Sequence, residues 1–231
     1  MSENSGAHST WRFLLVLTSP GKAFEEIAAE SAFLKPALIL CAMNALTGII
    51  LAPKVRAFTE WMLAHGQLGL PPEQAEEALA VAPTVAALGC VVSAVVFPWL
   101  VWLLVAGLLR VYAMFSARET AFKKLFAAAV YGYVPIVIGS ITTMLVALSV
   151  PVENFQTVSV SLAALLPYQK SFLYFFLTRC SPFTWWSLVL WGIGGAAATK
   201  TRPGGLTVYL FVLWALGALI VAGLSLVNAP A

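Results

Sequence analysis

Residues 122–139 read FKKLFAAAVYGYVPIVIG. Two lysines open the stretch, an apolar run follows, and Tyr131-Gly132-Tyr133-Val134-Pro135 breaks into that run. The apolar residues do not alternate as in a strand. They also leave no polar stripe of the kind a soluble helix keeps toward water. Such a run reads as a helix surrounded by hydrocarbon, and the lysines read as its anchor at the membrane edge. Glycine weakens a helix, and proline removes one of its hydrogen bonds and kinks it. In lipid, the freed carbonyl has to be met by a neighbouring helix or side chain. The stretch therefore predicts a kinked span inside a packed bundle.

The rest of the chain carries the same character outward. Of 231 residues, 61% are hydrophobic and only 10% are charged, and the mean hydropathy is +0.90. Soluble domains carry about 25% charged residues, and a water-facing fold with so few would expose large apolar patches. All ten acidic residues are glutamate. A net charge of +3, with its basic residues scattered, gives no footprint for nucleic acid. Cys41, Cys90 and Cys180 are far apart, and His8 and His65 stand alone. This excludes a disulfide framework and a zinc motif, and no cofactor is expected. The start of the chain has too short an apolar stretch, Phe13 to Leu17, for a cleaved leader, so the amino terminus is read as retained.

Five runs are candidates for spans: Pro36–Pro53, Val85–Leu109 with its helix continuing toward Ser116, Leu125–Leu148, Phe183–Thr199 and Leu206–Val227. The expected fold is an all-α polytopic transmembrane helix bundle with about five spans plus short interfacial helices. "LTSPGKAFEEIAAE" reads as one such helix, with Ser19 as cap, Pro20 at the first helical position, and Phe24, Ile27 and Ala28 on a face that would lie on the membrane surface. "LPPEQAEEALAVA" reads as a second. Residues 151–182, broken by Pro167, Lys170 and Arg179, read as interfacial or re-entrant helices, with a sixth span as the alternative.

Basic residues in loops set orientation. In a five-span chain, nine fall on one side: Arg12, Lys22, Lys35, Arg110, Arg118, Lys123, Lys124, Lys200 and Arg202. Four fall on the other: Lys54, Arg56, Lys170 and Arg179. The amino terminus is expected in the cytoplasm and the carboxyl terminus outside, in the cell (inner) membrane. Trp11, Trp61, Trp185 and Trp186 sit near span ends, where indole rings prefer the interface. Arg118, Lys123, Lys124, Lys200 and Arg202 are candidate contacts for anionic lipid head groups or an acidic partner, beside their plain role as topological anchors.

Intramembrane ionisable groups mark pumps and coupled transporters. None lies within 78–109, 125–152, 181–199 or 203–231. No HExxH motif or Ser/His pair is present, and an enzyme is not expected. Inside the runs, the polar residues are Asn44, Thr47, Ser93, Ser140, Thr142 and Thr143. They read as hydrogen bonds between helices or back to their own helix, with a lined solute path as the alternative. Gly48/Ala52, Gly192/Ala196, Gly194/Ala198 and Ala218/Ala222 are small pairs four apart that allow close helix approach, within the chain or to a partner. Pro98 and Pro135 are expected to kink their helices.

Three stretches then resemble the Yip-domain family, five-span membrane proteins named after Rab-GTPase-interacting members. "LTSPGKAFEEIAAESAFLKPALIL" resembles the entry of its bacterial branch. "LFAAAVYGYVPIVIGSI" resembles its third span, with Tyr131, Gly132 and Pro135 as a family-type packing motif. "SPFTWWSLVLWGIGGAAATKTRPGG" resembles its fourth span and basic turn. The eukaryotic members act as membrane adaptors in vesicle trafficking and bind lipidated small GTPases. This chain lacks their Asp-Leu-Tyr-Gly-Pro stretch, and the resemblance is to the prokaryotic type. It implies a cytoplasmic segment over 1–34 with a short amphipathic helix, and a Yip-like transmembrane domain over 35–228. It further implies a scaffold or adaptor that binds membrane lipids and another membrane protein or a second copy of itself, and no nucleic acid. The alternative is a channel or uncoupled transporter, including lipid movement past Thr142 and Thr143.

Overall fold

A computed structural model describes residues 12–228; the expectations for His8 and Trp11 lie outside them. Among the described residues there are helices and turns and no strands. The chain is a multi-pass membrane protein of the all-α class. Its helices are α1 (residues 12–18), α2 (Pro20–Glu30), α3 (Leu34–Ala64), α4 (Pro72–Phe115), α5 (Phe122–Gly132), α6 (Val134–Ser149), α7 (Phe172–Leu177), α8 (Pro182–Thr199) and α9 (Pro203–Asn228).

Four helical stretches are long and apolar enough to cross a membrane: α3, α4, α5 with α6, and α9. The remaining expected run forms α8; its 18 residues lie within the length a span takes, and its glycine- and tryptophan-rich composition keeps it out of these four. Two helices are longer than the hydropathy pattern suggested. α3 does not stop at Pro53 but continues to Ala64. The sequence at 70–82, read as a separate interfacial helix, is instead the start of α4. At 44 residues α4 is about 66 Å long, more than twice the thickness of the hydrocarbon layer. Hydropathy marks where a helix leaves oil; it does not mark where its backbone hydrogen bonding ends.

The chain gathers into two compact units. Unit one holds residues through Leu40, Pro98–Ile138 and Pro182–Leu219. Its core is a layer of α2, α5 and α8 packed on one another. Eight of the eleven residues of α5 are buried, Leu125 through Gly132. Ala23, Phe24, Ile27 and Ala28 of α2 are buried too. This corrects the expectation that this face lies on the membrane surface: a protein groove covers it, and Phe24 fits against Gly194 of α8. Pro20 opens α2 as expected, whereas Ser19 holds the cap position without a side-chain bond.

Unit two holds Cys41–Phe97, Gly139–Ser181 and the residues from Ile220 onward. Here Gly48 of α3 meets Ala94 of α4, where an added Cβ would stand 2.9 Å from the Ala94 Cβ. The Cys90 thiol donates to the Gly48 carbonyl at 3.8 Å. Lys54 Nζ donates to the Val150 carbonyl just past α6. Residues 151–181 form two 3-10 turns, Val152–Thr157 and Leu162–Leu165, and the six-residue α7. None of these can span, so the sixth-span alternative falls.

Intramembrane hydroxyls mostly bond back to their own helices. Thr47 donates to the Asn44 carbonyl at 2.6 Å, Ser93 to Cys90 at 2.9 Å and Thr143 to Gly139 at 2.8 Å.

Candidate functional site

The distinctive geometry of unit one begins where α5 ends. Tyr133 is a turn between α5 and α6. Its N–H donates three residues back, to Val130 at 3.2 Å, rather than four back to Ala129. The Ala129 carbonyl is thus freed from the helical ladder. The indole N–H of Trp191, from α8, takes it at 2.9 Å in a buried bond. An unmet carbonyl in this position would cost about 1–3 kcal/mol.

Trp191 can reach that carbonyl because residue 132 has no side chain. A Cβ at Gly132 would stand 2.2 Å from Trp191 Cδ1. Pro135, two residues past the turn, lacks the N–H that would carry the ladder through it. By contrast, α4 remains helical straight through Pro98. Tyr131 is 1% exposed, and its ring lies 5.6 Å from that of Phe13.

Further glycine contacts close the rest of this core. A Cβ at Gly192 would stand 2.9 Å from the Thr207 Cα, and one at Gly195 would stand 2.6 Å from Leu109 Cδ2. The small pairs on α8 therefore bring together elements of this one chain.

An ion pair ties α1 to the end of α2. The Arg12 guanidinium grips the Glu30 carboxylate with two N–H groups, one of them at 2.7 Å. Its bond to Glu30 raises the Arg12 pKa above the ordinary value. The sequence reading missed Trp191 as the partner of the break, and Phe24 and Thr207 as the neighbours of Gly194 and Gly192. The three glycines of "WGIGG" (residues 191–195) were its available sign, because glycine in a span admits a neighbour.

The five basic candidates are not equivalent. Among the described residues, none of Arg118, Lys123, Lys124, Lys200 and Arg202 is in an ion pair. Arg118, Lys124 and Lys200 meet around a cavity of about 440 Å³, together with Glu119 and Thr120. Lys124 and Lys200 also line a second cavity of about 560 Å³, with Glu25 and an alanine-rich wall. Lys123 points elsewhere, to an aromatic groove of about 390 Å³ formed by Phe33, Trp99, Leu103, Phe122 and Phe126. Arg202 lines none of these three.

Local structure holds this arrangement. α4 closes with Ala117 in the left-handed region (φ 50°), and Arg118 N–H returns to the Ala113 carbonyl at 3.0 Å. α8 closes with Lys200 in the same region (φ 54°), and Thr201 N–H returns to Ala196 at 3.1 Å. Thr120 Oγ1 donates to the Ala198 carbonyl at 3.3 Å and joins the two turns. The first turn of α5 carries Lys123 and Lys124 and no acid. There they add to the positive end of the helix dipole, an arrangement suited to anions.

Residues 14–224 match the model of the Yip1 domain. Comparison with curated proteins and with solved structures gave no match. With nearly the whole chain inside that match, and the Tyr131-to-Pro135 break at its packed centre, the protein belongs to the Yip1-domain family.

Proposed function

We propose that this protein is a non-enzymatic membrane scaffold or adaptor. In this reading α8 crosses as the fifth span, residues 1–34 are a cytoplasmic segment and 35–228 the transmembrane domain, with the amino terminus in the cytoplasm, the carboxyl terminus outside, and the chain in the cell membrane. The basic turns of unit one face the cytoplasm and hold an acidic protein partner or anionic lipid.

The supporting observation is the charge split. All nine basic residues expected on the cytoplasmic side fall in unit one, and the other four fall in unit two. Lys and Arg are retained in cytoplasmic loops. The channel alternative loses support from the core of unit one, where glycines place α8 directly against α2, α5 and α9 and leave side chains in contact rather than a lined path.

The test is extraction of the full chain in mild detergent after cross-linking. A specific protein partner should be recovered. Its recovery should drop when Arg118, Lys124 and Lys200 are all changed to Gln, and stay level for Lys170→Gln. Isolation of the chain alone under both conditions would contradict the adaptor reading.

A further inference from the structure

We propose that the two adjoining cavities of unit one form a single binding site for a phosphate-bearing amphiphile, an anionic phospholipid. Its phosphate would sit among Arg118, Lys124 and Lys200, and its glycerol end over the alanine wall. This deepens the lipid part of the reading above and rests on it.

The two cavities share Lys124, Ala198 and Lys200, so they adjoin through the two lysines. Their walls differ in chemistry. The smaller presents three cations against one carboxylate, Glu119, with the Thr120 hydroxyl beside them. The larger continues over Ala28, Ala29, Ile193, Ala196 and Ala197, with Glu25 on its rim. A polar, net-positive compartment that opens onto an apolar one fits a head group followed by the start of its tails. A free phosphate would use only the first compartment.

Among the described residues, the three cations have no carboxylate within ion-pair distance. Like charges gathered on three separate elements repel one another unless an anion joins them. The N-terminal end of α5 adds its own positive field at Lys124. The left-handed turn that ends α8 holds the Lys200 backbone and so fixes where its side chain starts.

The experiment follows thermal unfolding of the full chain in a mild neutral detergent. Three probes are titrated: dioctanoyl phosphatidylglycerol, dioctanoyl phosphatidylcholine and inorganic phosphate. Phosphatidylglycerol should raise Tm in a saturable manner, and phosphatidylcholine should not. The double change Lys124→Gln with Lys200→Gln should weaken the phosphatidylglycerol response by about tenfold, the loss expected for charge-assisted bonds. Lys170→Gln should leave it intact. Glu119→Gln, on an exposed turn, should strengthen it, which keeps the test decisive if the double variant folds poorly.

Inorganic phosphate giving the same rise would overturn the amphiphile and leave the basic compartment as a site for a soluble phosphate. Equal responses to the two lipids would overturn the proposal, as would an unchanged response in the double variant or a weaker one in Glu119→Gln. Loss of the lipid response with a protein partner still recovered would sink this site and leave the adaptor reading standing. The reverse pattern would sink the adaptor and keep the site.

Discussion

The two units solve the same problem, how to place helices in oil, in opposite ways. Unit one is close-packed. The apolar window of α5 and α6, whose first half belongs to unit one, is 72% buried by protein, and glycines on α5 and α8 let tryptophan, phenylalanine and threonine press against backbone. Unit two is built largely on α3, whose window is only 28% buried, and it shares α4 and α9 with unit one, whose windows are 17% buried. Exposed leucine and valine are the natural surface of a helix in lipid, where water exclusion gives no reason to bring helices together. Close packing has to come from shape. The packed unit is also the basic one, with nine basic residues against four. Precision of packing and concentration of charge occur together, and the candidate site lies there.

Substitutions can break this contrast. The largest effect is expected for Gly132→Leu. Even a Cβ would overlap Trp191 at 2.2 Å, and the indole is held by its bond to Ala129. The variant should lose its cooperative thermal transition in detergent, well beyond the 1–3 kcal/mol typical of overpacking. Trp191→Phe should come next. It keeps most of the ring but leaves the Ala129 carbonyl unmet, for a loss of about 1–3 kcal/mol in a reversible unfolding measurement.

Pro135→Leu should cost less than Trp191→Phe, because Gly132 and Trp191 hold the turn at Tyr133. If it costs more, the proline rather than the tryptophan maintains the break. In unit two, Gly89→Ala should be neutral or stabilising by up to about 1 kcal/mol, since among the described residues nothing lies within 4 Å of the added methyl and alanine favours helix. A clear loss there would erase the contrast between the units. The smallest effect is expected for Glu30→Gln. Its carboxylate side is 54% exposed, so the ion pair with Arg12 is worth about 0–1 kcal/mol, and the loss should shrink in salt.

Much of this was legible in the sequence because lipid imposes simple rules. Long apolar runs gave the helical class, and Pro20 gave the first residue of α2. The Tyr131-to-Pro135 break was readable because glycine and proline act on the backbone locally. What stayed hidden depends on partners distant in the chain. The Ala129 carbonyl and the Trp191 indole are 62 residues apart. Phe24, Ile27 and Ala28 make an apolar face whether the cover is acyl chain or protein, so the pattern alone assigned it to the wrong cover. The end of α3 and the start of α4 were missed because charged and proline-containing ends continue a helix without marking it in hydropathy. Among the five basic candidates, nothing in the residue pattern separates Lys124 from Lys123. Neighbours on a helix point about 100° apart, and only the fold decides which one meets Lys200.

The central proposal is that the basic turns of unit one lie on the cytoplasmic side of a multi-pass chain. It is tested by placing single cysteines in a background lacking Cys41, Cys90 and Cys180. Ala121→Cys sits in the basic turn before α5, and Gln156→Cys in the first 3-10 turn after α6. A membrane-impermeant maleimide applied to intact cells should label Gln156→Cys and reach Ala121→Cys only after the cells are opened. Labelling of Ala121→Cys in intact cells, with or without Gln156→Cys, would contradict the account.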